Sequence, residues 1–201
     1  MASESEKTTL RQKLETYEGC VEHMYLDTKG FVTVGVGHLL STLTNAQSLA
    51  FIVQKDSKAA TKDQIKTDYD TVKKQTKGLL SSTYKKHTKL KLKKTDIDKL
   101  TNKHIDTFEG ELKKVYGAEA FAAYPSEVRL ALFDMIFNLG MTNLKSKFPT
   151  FNKYIKAKNW SEGAKESNRS DVSDARNKYV KDLLEKAAKD SATAASNSKK
   201  P

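Results

Sequence analysis

The sequence predicts an α+β fold that is mostly helical and contains one small β-hairpin. Apolar residues recur at three- and four-residue spacing over residues 10–17, which is typical of a helix with one buried face. In residues 128–140, apolar residues occupy almost every face of the predicted helix, as expected of a helix surrounded by other helices. Residues 31–37 alternate like a short strand after turn residues at 27–30. The chain of 201 residues is long enough for one compact domain.

The first helix is predicted to begin at Thr8 or Thr9, either of which can cap it, and to end at Glu18. Gly19 is a typical helix stop. The Glu18 carboxyl then lies at the negative end of the helix dipole, which favours its protonated form. A carboxylic acid that keeps its proton can donate it to a leaving group.

The hairpin carries a second carboxylate and a hydroxyl. Asp27 falls on the turn and Thr33 on the following strand, whose side chains project perpendicular to the sheet. Glycoside hydrolysis needs one protonated carboxyl and one ionised carboxylate, and two carboxyls in such different surroundings supply that pair. The sequence therefore predicts that Glu18, Asp27 and Thr33 converge on a sugar chain.

Residues 10–40 resemble the amino-terminal active-site region of the T-even phage lysozymes, muramidases of glycoside hydrolase family 24. The Glu-Gly pair, the Asp nine residues on and the Thr six further match the family without a gap. The resemblance implies that Glu18 is the general acid, that Asp27 is the second carboxylate and that Thr33 helps to place the water. It also implies inversion by direct water attack, with the two carboxyls roughly 6.5 to 9.5 Å apart rather than about 5 Å.

The same resemblance implies a lysozyme-like fold, in which a small hairpin lobe and a larger helical lobe flank a cleft. Residues 128–140 resemble the buried central helix of the family, which ends at Gly140. Phe137 in this helix and Leu39 after the hairpin match family positions at the cleft wall and are predicted to bind the sugar. No cofactor is implied, and no metal site either, since the four histidines show no metal-ligand spacing.

Arg176 is predicted to support the site. The resemblance implies that it corresponds to the family arginine that sits against the catalytic Glu. Such a cation would fix the rotamer of Glu18 and would oppose the effect of the helix end.

A second supporting contact depends on where the next family helix begins. Family members pair the His after the hairpin with an Asp eleven residues into that helix. Counting from Thr95 predicts an ion pair between His38 and Asp106. An alternative start at Thr61 has a similar sequence, and counting from it reaches Val72 instead.

Residues 41–94 are predicted to form a basic helical insertion before a helical lobe at 95–186. One helix is expected around residues 49–53 and another after Thr61, through residues 65–79. The insertion contains thirteen lysines and four aspartates. These lysines form either a solvated face or a surface that meets cell-wall polymers or the anionic cell envelope. Residues 187–201 are predicted to be a flexible tail or linker.

The net charge of +11 favours polyanionic surroundings, although charge alone does not separate peptidoglycan from nucleic acid. The single cysteine excludes an internal disulfide. The start has no signal-peptide pattern, and no apolar run is long enough to span a membrane. Action on the wall in the bacterial periplasm would therefore require delivery through holin-type lesions or as part of a secreted antibacterial effector.

Together these features predict a lysozyme that cleaves the β-1,4 bond between N-acetylmuramic acid and N-acetylglucosamine in peptidoglycan and causes cell-wall lysis. The expected partners are peptidoglycan and an immunity protein, without nucleic acid or stable membrane insertion, and the chain is expected to be a monomer. Two alternatives remain at this stage. One is a non-catalytic peptidoglycan-binding module with a lysozyme fold, and the other is a basic nucleic-acid-binding domain.

Overall fold

The computed structural model describes residues 2–197, which divide into two compact units. The first unit comprises the start of the chain through Leu10 together with the residues from His104 onward, and the second comprises Arg11–Lys103. The helices of the described residues are α1 (Glu4–Glu18), α2 (Leu43–Gln47), α3 (Lys62–Lys73), α4 (Lys94–Tyr116), α5 (Ala118–Ala122), α6 (Ser126–Lys147), α7 (Pro149–Lys156), α8 (Trp160–Lys165) and α9 (Asp174–Asn197). A short 3₁₀ helix spans Ser81–His87.

The predicted α+β fold, mostly helical with a small antiparallel sheet, is confirmed. A three-stranded antiparallel sheet has the order β1-β2-β3, and a two-stranded sheet pairs β4 with β5. Both sheets belong to the Arg11–Lys103 unit. The strands are β1 (Val21–Leu26), β2 (Val32–Gly35), β3 (His38–Leu39), β4 (Ile52–Val53) and β5 (Leu90–Lys91).

Two buried tyrosines tie helical segments of this unit to its other parts. Tyr69 of α3 donates its hydroxyl to the Leu40 carbonyl oxygen at 3.1 Å. Tyr84 of the 3₁₀ helix donates to the Thr76 carbonyl oxygen at 2.7 Å. Both rings are almost fully buried, so their hydroxyls satisfy backbone groups inside the core.

The core of the other unit is built around α6, as the nearly continuous apolar sequence predicts. Val128, Leu132 and Ile136 are fully buried, and the helix packs against α7 and α9. Gly140 has φ 70° and ψ 161°, which breaks the helical conformation at the position where the sequence predicts the helix to end. Beyond this break the chain returns to helix as far as Lys147.

The start of α1 requires a correction. The sequence predicts a cap at Thr8 or Thr9, but the helix begins at Glu4 and both threonine hydroxyls bond to carbonyls inside it. Ser3 is the cap, because its Oγ accepts from the Glu6 backbone N–H at 3.2 Å and the Glu6 carboxylate accepts from the Ser3 N–H at 2.9 Å. This reciprocal pair is a capping box.

The segment predicted as a helical insertion is helical only in part. Thr61 caps α3 as predicted, through a capping box with Gln64. The helix predicted around residues 49–53 is wrong, because Ile52 and Val53 form β4 and pair with β5. The β-branched side chains of these two residues favour a strand.

The tail prediction also needs correction. The sequence predicts a flexible segment from Ala187 onward, but α9 continues through Asn197 and Ala187 is buried in the core. Alanine is the strongest helix former, which explains why an alanine-rich segment extends the helix. The rest of the predicted tail, 198–201, lies outside the described residues. No helix in the described part of the chain is both long and apolar enough to cross a membrane.

Candidate active site

Glu18 is the last residue of α1, as predicted. Gly19 follows it with φ 78°, and the Gly19 N–H donates to the Glu15 carbonyl oxygen at 3.0 Å, which closes the last turn. Strand β1 begins two residues later, at Val21. The Glu18 side chain is exposed, so its carboxyl is accessible from solvent.

Asp27 directly follows β1 and organises the hairpin turn. Its Oδ1 accepts the backbone N–H groups of Lys29 at 2.9 Å and of Phe31 at 2.8 Å. Its own backbone closes the turn with Phe31 and Gly30. The Asp27 side chain is half-buried, and its hydrogen bonds come from backbone N–H groups rather than from a flexible side chain.

Thr33 lies at the centre of the three-stranded sheet. Its Cα is paired with that of Tyr25 on β1 and with that of Leu39 on β3. Directly opposed residues of antiparallel strands project from the same face, so Tyr25, Thr33 and Leu39 form one row across the sheet. Thr33 is 3% exposed, and its hydroxyl donates to the Phe31 carbonyl oxygen at 3.1 Å. Leu39 is 44% exposed.

The pKa of Tyr25 is influenced by the charges of both candidate carboxyls. Burial raises its pKa to about 12, and the negative charges of Asp27 and Glu18 contribute further to this increase. Tyr25 and Thr33 share one face of the sheet. The predicted convergence of Glu18 and Asp27 with Thr33 stays a prediction.

Arg176 lies near the start of α9 and is buried with a carboxylate of α6. Its Nε lies 3.1 Å from both Oδ1 and Oδ2 of Asp134. The fully buried Arg169 also contacts this carboxylate, with its Nη1 at 2.9 Å from Oδ1. Burial lowers the pKa of Arg169, whereas the Asp134 charge opposes this effect. The predicted contact of Arg176 with Glu18 stays a prediction.

The remaining candidates lie in different surroundings. Phe137 of α6 is half-buried and packs edge to face against Phe108, with ring centroids 5.6 Å apart. His38 lies on β3. Asp106 of α4 forms an ion pair with Lys7 at 2.6 Å. The predicted pairing of His38 with Asp106, and the predicted contacts of Phe137 and Leu39 with sugar, stay predictions.

Sequence reasoning missed Tyr25, Asp134 and Arg169. Tyr25 could have been found from the hairpin register, because a turn centred on residues 28–30 places it opposite Thr33. Asp134 offered another signal, since it is an ionisable residue in a helix that is otherwise apolar. Within residues 2–197, no cluster of three His, Cys, Asp or Glu side chains could hold a metal ion.

Comparison with known proteins identifies the part of the chain that carries the hairpin. The family model described as phage lysozyme matches residues 15–88. This range contains Glu18, Asp27 and Thr33, includes the helix start at Thr61 and ends before Thr95. No curated protein matches the chain. Residues 15–88 are therefore similar to the phage lysozyme family, whose members are peptidoglycan-degrading glycoside hydrolases.

Proposed function

We propose that the protein is a muramidase that hydrolyses the β-1,4 bond between N-acetylmuramic acid and N-acetylglucosamine in bacterial peptidoglycan. The observation that carries this proposal is the match of residues 15–88 to the phage lysozyme family, because that range contains Glu18, Asp27 and Thr33. One carboxyl ends a helix and the other is fixed in a turn, which gives the two groups different surroundings.

In the proposed reaction, Glu18 donates its proton to the glycosidic oxygen as the bond from that oxygen to the anomeric carbon of the muramic acid breaks. Asp27 stabilises the positive charge that develops on the ring and accepts a proton from the attacking water. The water oxygen forms the new bond to the anomeric carbon from the opposite face, with inversion. Proton exchange with solvent then restores both carboxyls.

The hydrogen bonds of Asp27 and Thr33 support these roles. The two backbone N–H groups that bind Asp27 Oδ1 orient the carboxylate. Because the Thr33 hydroxyl hydrogen is directed to the Phe31 carbonyl, its oxygen is suited to accept a hydrogen bond from the attacking water. Leu39, in the same row of the sheet, offers an exposed apolar surface to a sugar face.

The predicted support of Glu18 by Arg176 stays a prediction. Within its own unit, Arg176 is oriented by Asp134, whose two oxygens lie equally distant from the Arg176 Nε and fix the direction of the guanidinium.

Cleavage of the glycan strands would release fragments from the wall and lyse the cell. The net charge of +11 would draw the enzyme to a wall that carries stem-peptide carboxylates. Delivery to the periplasm by holin-type lesions or within a secreted effector, and inhibition by an immunity protein, belong to this proposal. The match of residues 15–88 to the phage lysozyme family supports peptidoglycan as the substrate.

Mass analysis of the fragments released from purified peptidoglycan tests the reaction. Fragments with N-acetylmuramic acid at a free reducing end would support the muramidase. Anhydro-muramic ends would instead show a lytic transglycosylase. Sedimentation of the protein with peptidoglycan, without release of fragments, would identify a non-catalytic binding module and overturn the proposed reaction.

A further inference from the structure

We propose that a surface of the Arg11–Lys103 unit docks reversibly on anionic phospholipid bilayers. The surface consists of an apolar tip, defined as Leu79 and Leu80, and of a basic segment, defined as residues 73–94. This binding is separate from the action on glycan strands.

The apolar tip holds two adjacent leucines in solvent. Leu80 is 80% exposed and Leu79 is 45% exposed, and Leu80 has the highest exposure among the large apolar side chains in the described residues. Burial of both leucines in the core would have removed apolar area from water. Two neighbouring exposed leucines therefore indicate a surface that meets an apolar environment elsewhere.

The loop that carries the tip is anchored on both sides. Before the tip, the Thr76 carbonyl accepts from the buried Tyr84 hydroxyl. After the tip, a ring nitrogen of the buried His23 lies 3.0 Å from the Ser81 carbonyl oxygen. These two contacts hold the ends of the loop against buried side chains, so the exposure of Leu80 is part of an ordered local structure.

The basic segment extends on both sides of the tip in the sequence, and it contains no acidic residue. Residues 73–94 contain nine lysines and no Asp or Glu. Lys91 and Lys94 pair with acidic side chains elsewhere in the unit. Other lysines of the segment are exposed and form no ion pair among the described residues: Lys77, Lys85, Lys86 and Lys93. Each such lysine is attracted to an anionic membrane surface.

A cavity beside the tip offers donors for a phosphate-bearing headgroup. It has a volume of about 440 Å³, and its lining includes Ser81, Ser82 and Lys85, together with the ion pair between Lys91 and Glu22. Hydroxyl and ammonium groups are suitable donors to phosphate oxygens.

The leucines distinguish a bilayer from a soluble polyanion. A nucleic acid would use the lysines, but it would gain little from two exposed leucines. A bilayer uses both, because lysines meet the headgroups while apolar side chains enter the boundary with the acyl chains. The combination of charge and exposed apolar side chains therefore favours anionic phospholipid as the occupant.

Vesicle co-sedimentation with the full chain tests this inference. Wild-type protein should bind vesicles of phosphatidylcholine that contain phosphatidylglycerol, but not vesicles of phosphatidylcholine alone. The double variant Leu79→Ser/Leu80→Ser should weaken binding at least about tenfold, because it removes the apolar contribution. Lys85→Gln/Lys86→Gln should weaken binding by about tenfold or more. Circular dichroism would verify that both variants keep the fold.

A matched control separates local charge from net charge. Lys145→Gln/Lys147→Gln removes the same charge from exposed positions of α6 and should leave binding within about twofold of wild type. Unchanged vesicle binding by the leucine variant would identify a simple polyanion-binding surface and overturn the proposal. Equal binding of wild type to both vesicle types, or to neither, would also overturn it.

Insertion of the tip can be followed directly. The chain has a single tryptophan, Trp160, which is buried and gives a constant background. Leu80→Trp should show a blue-shifted emission with anionic vesicles and quenching by brominated lipid. Emission that stays at its value in water while the protein is bound would contradict insertion. None of these readouts depends on glycan cleavage, so they are independent of the proposed function.

Discussion

Tyr25 and Thr33 lie directly opposite each other across β1 and β2, so their side chains project from the same face of the sheet. Burial raises the pKa of the Tyr25 phenol, and the negative charges of Asp27 and Glu18 add to this effect. The phenol takes no part in the proposed reaction, so its titration can be followed separately from catalysis.

The first prediction concerns the titration of Tyr25. Burial, with the charges of Asp27 and Glu18, raises its pKa to about 12, so Tyr25 should remain protonated at about pH 11, above the ordinary tyrosine value. Asp27→Asn and Glu18→Gln should each lower this pKa, because each removes a negative charge that opposes ionisation. Carbon NMR of labelled tyrosine, assigned with Tyr25→Phe, measures the effect.

Glu22→Gln is the matched control, since this exposed carboxylate of β1 does not contribute to the raised pKa of Tyr25. It should leave the Tyr25 titration unchanged. An ordinary tyrosine titration in the wild type would contradict the raised pKa. No response to either active-site variant would show that the charges of Asp27 and Glu18 do not act on Tyr25.

The second prediction separates the charge of Asp27 from its role in the turn. Asp27→Asn keeps an amide oxygen that can accept from Lys29 and Phe31, so stability should change by less than about 1 kcal/mol. Activity on peptidoglycan should fall at least about 100-fold, because the amide cannot accept a proton from water. Asp27→Ala should also lower the midpoint of thermal unfolding. Wild-type activity in Asp27→Asn would exclude the proposed role.

The third prediction concerns the buried carboxylate between two arginines. Asp134→Asn leaves Arg169 and Arg176 without their shared counter-charge and should reduce the free energy of unfolding by about 3–5 kcal/mol. Asp182→Asn, which removes the exposed partner of Lys178, should leave it almost unchanged. Urea denaturation compares the two variants, and a similar small effect in both would show that the buried cluster contributes little.

The fourth prediction concerns acid stability and Glu6. Burial alone would raise the pKa of Glu6, but hydrogen bonds from the Ser3 backbone, Arg129 and Ser126 outweigh it, and the pKa lies below its ordinary value. A lowered folded pKa stabilises the protein fully above the unfolded-state value of about 4.3, and this contribution is lost as pH falls through the folded pKa.

Glu6→Gln should therefore flatten the acid limb of a plot of unfolding free energy against pH. The exposed Glu4→Gln is the control and should keep the wild-type slope. An unchanged slope in Glu6→Gln would assign the acid sensitivity to other carboxyls.

The parts of the fold that the sequence predicted correctly depend on local patterns. Gly19 ends α1, Thr61 caps α3 and Gly140 breaks α6, because each effect arises within one helical turn. The cap at Ser3, three residues before Glu6, is also a local pattern. The prediction placed the helix start too late because it relied on the apolar periodicity that begins at Leu10.

The features that the sequence did not predict depend on distant residues. The pairing of β4 with β5 joins positions almost forty residues apart in the sequence. Because this pairing is more favourable than a local helix, Ile52 and Val53 form a strand. The cluster of Asp134, Arg169 and Arg176 likewise comes from separate helices and loops. No periodicity in the chain indicates which buried charges will meet.

The most direct test of the central claim is the rate at which Glu18→Gln releases reducing ends from purified peptidoglycan, compared with wild type and with Glu22→Gln. The glutamine has nearly the same shape, but its amide has no acidic proton to transfer to the leaving oxygen. We expect a loss of at least about 100-fold in Glu18→Gln, a wild-type rate in Glu22→Gln and the same unfolding midpoint in all three. A wild-type rate in Glu18→Gln would contradict the account.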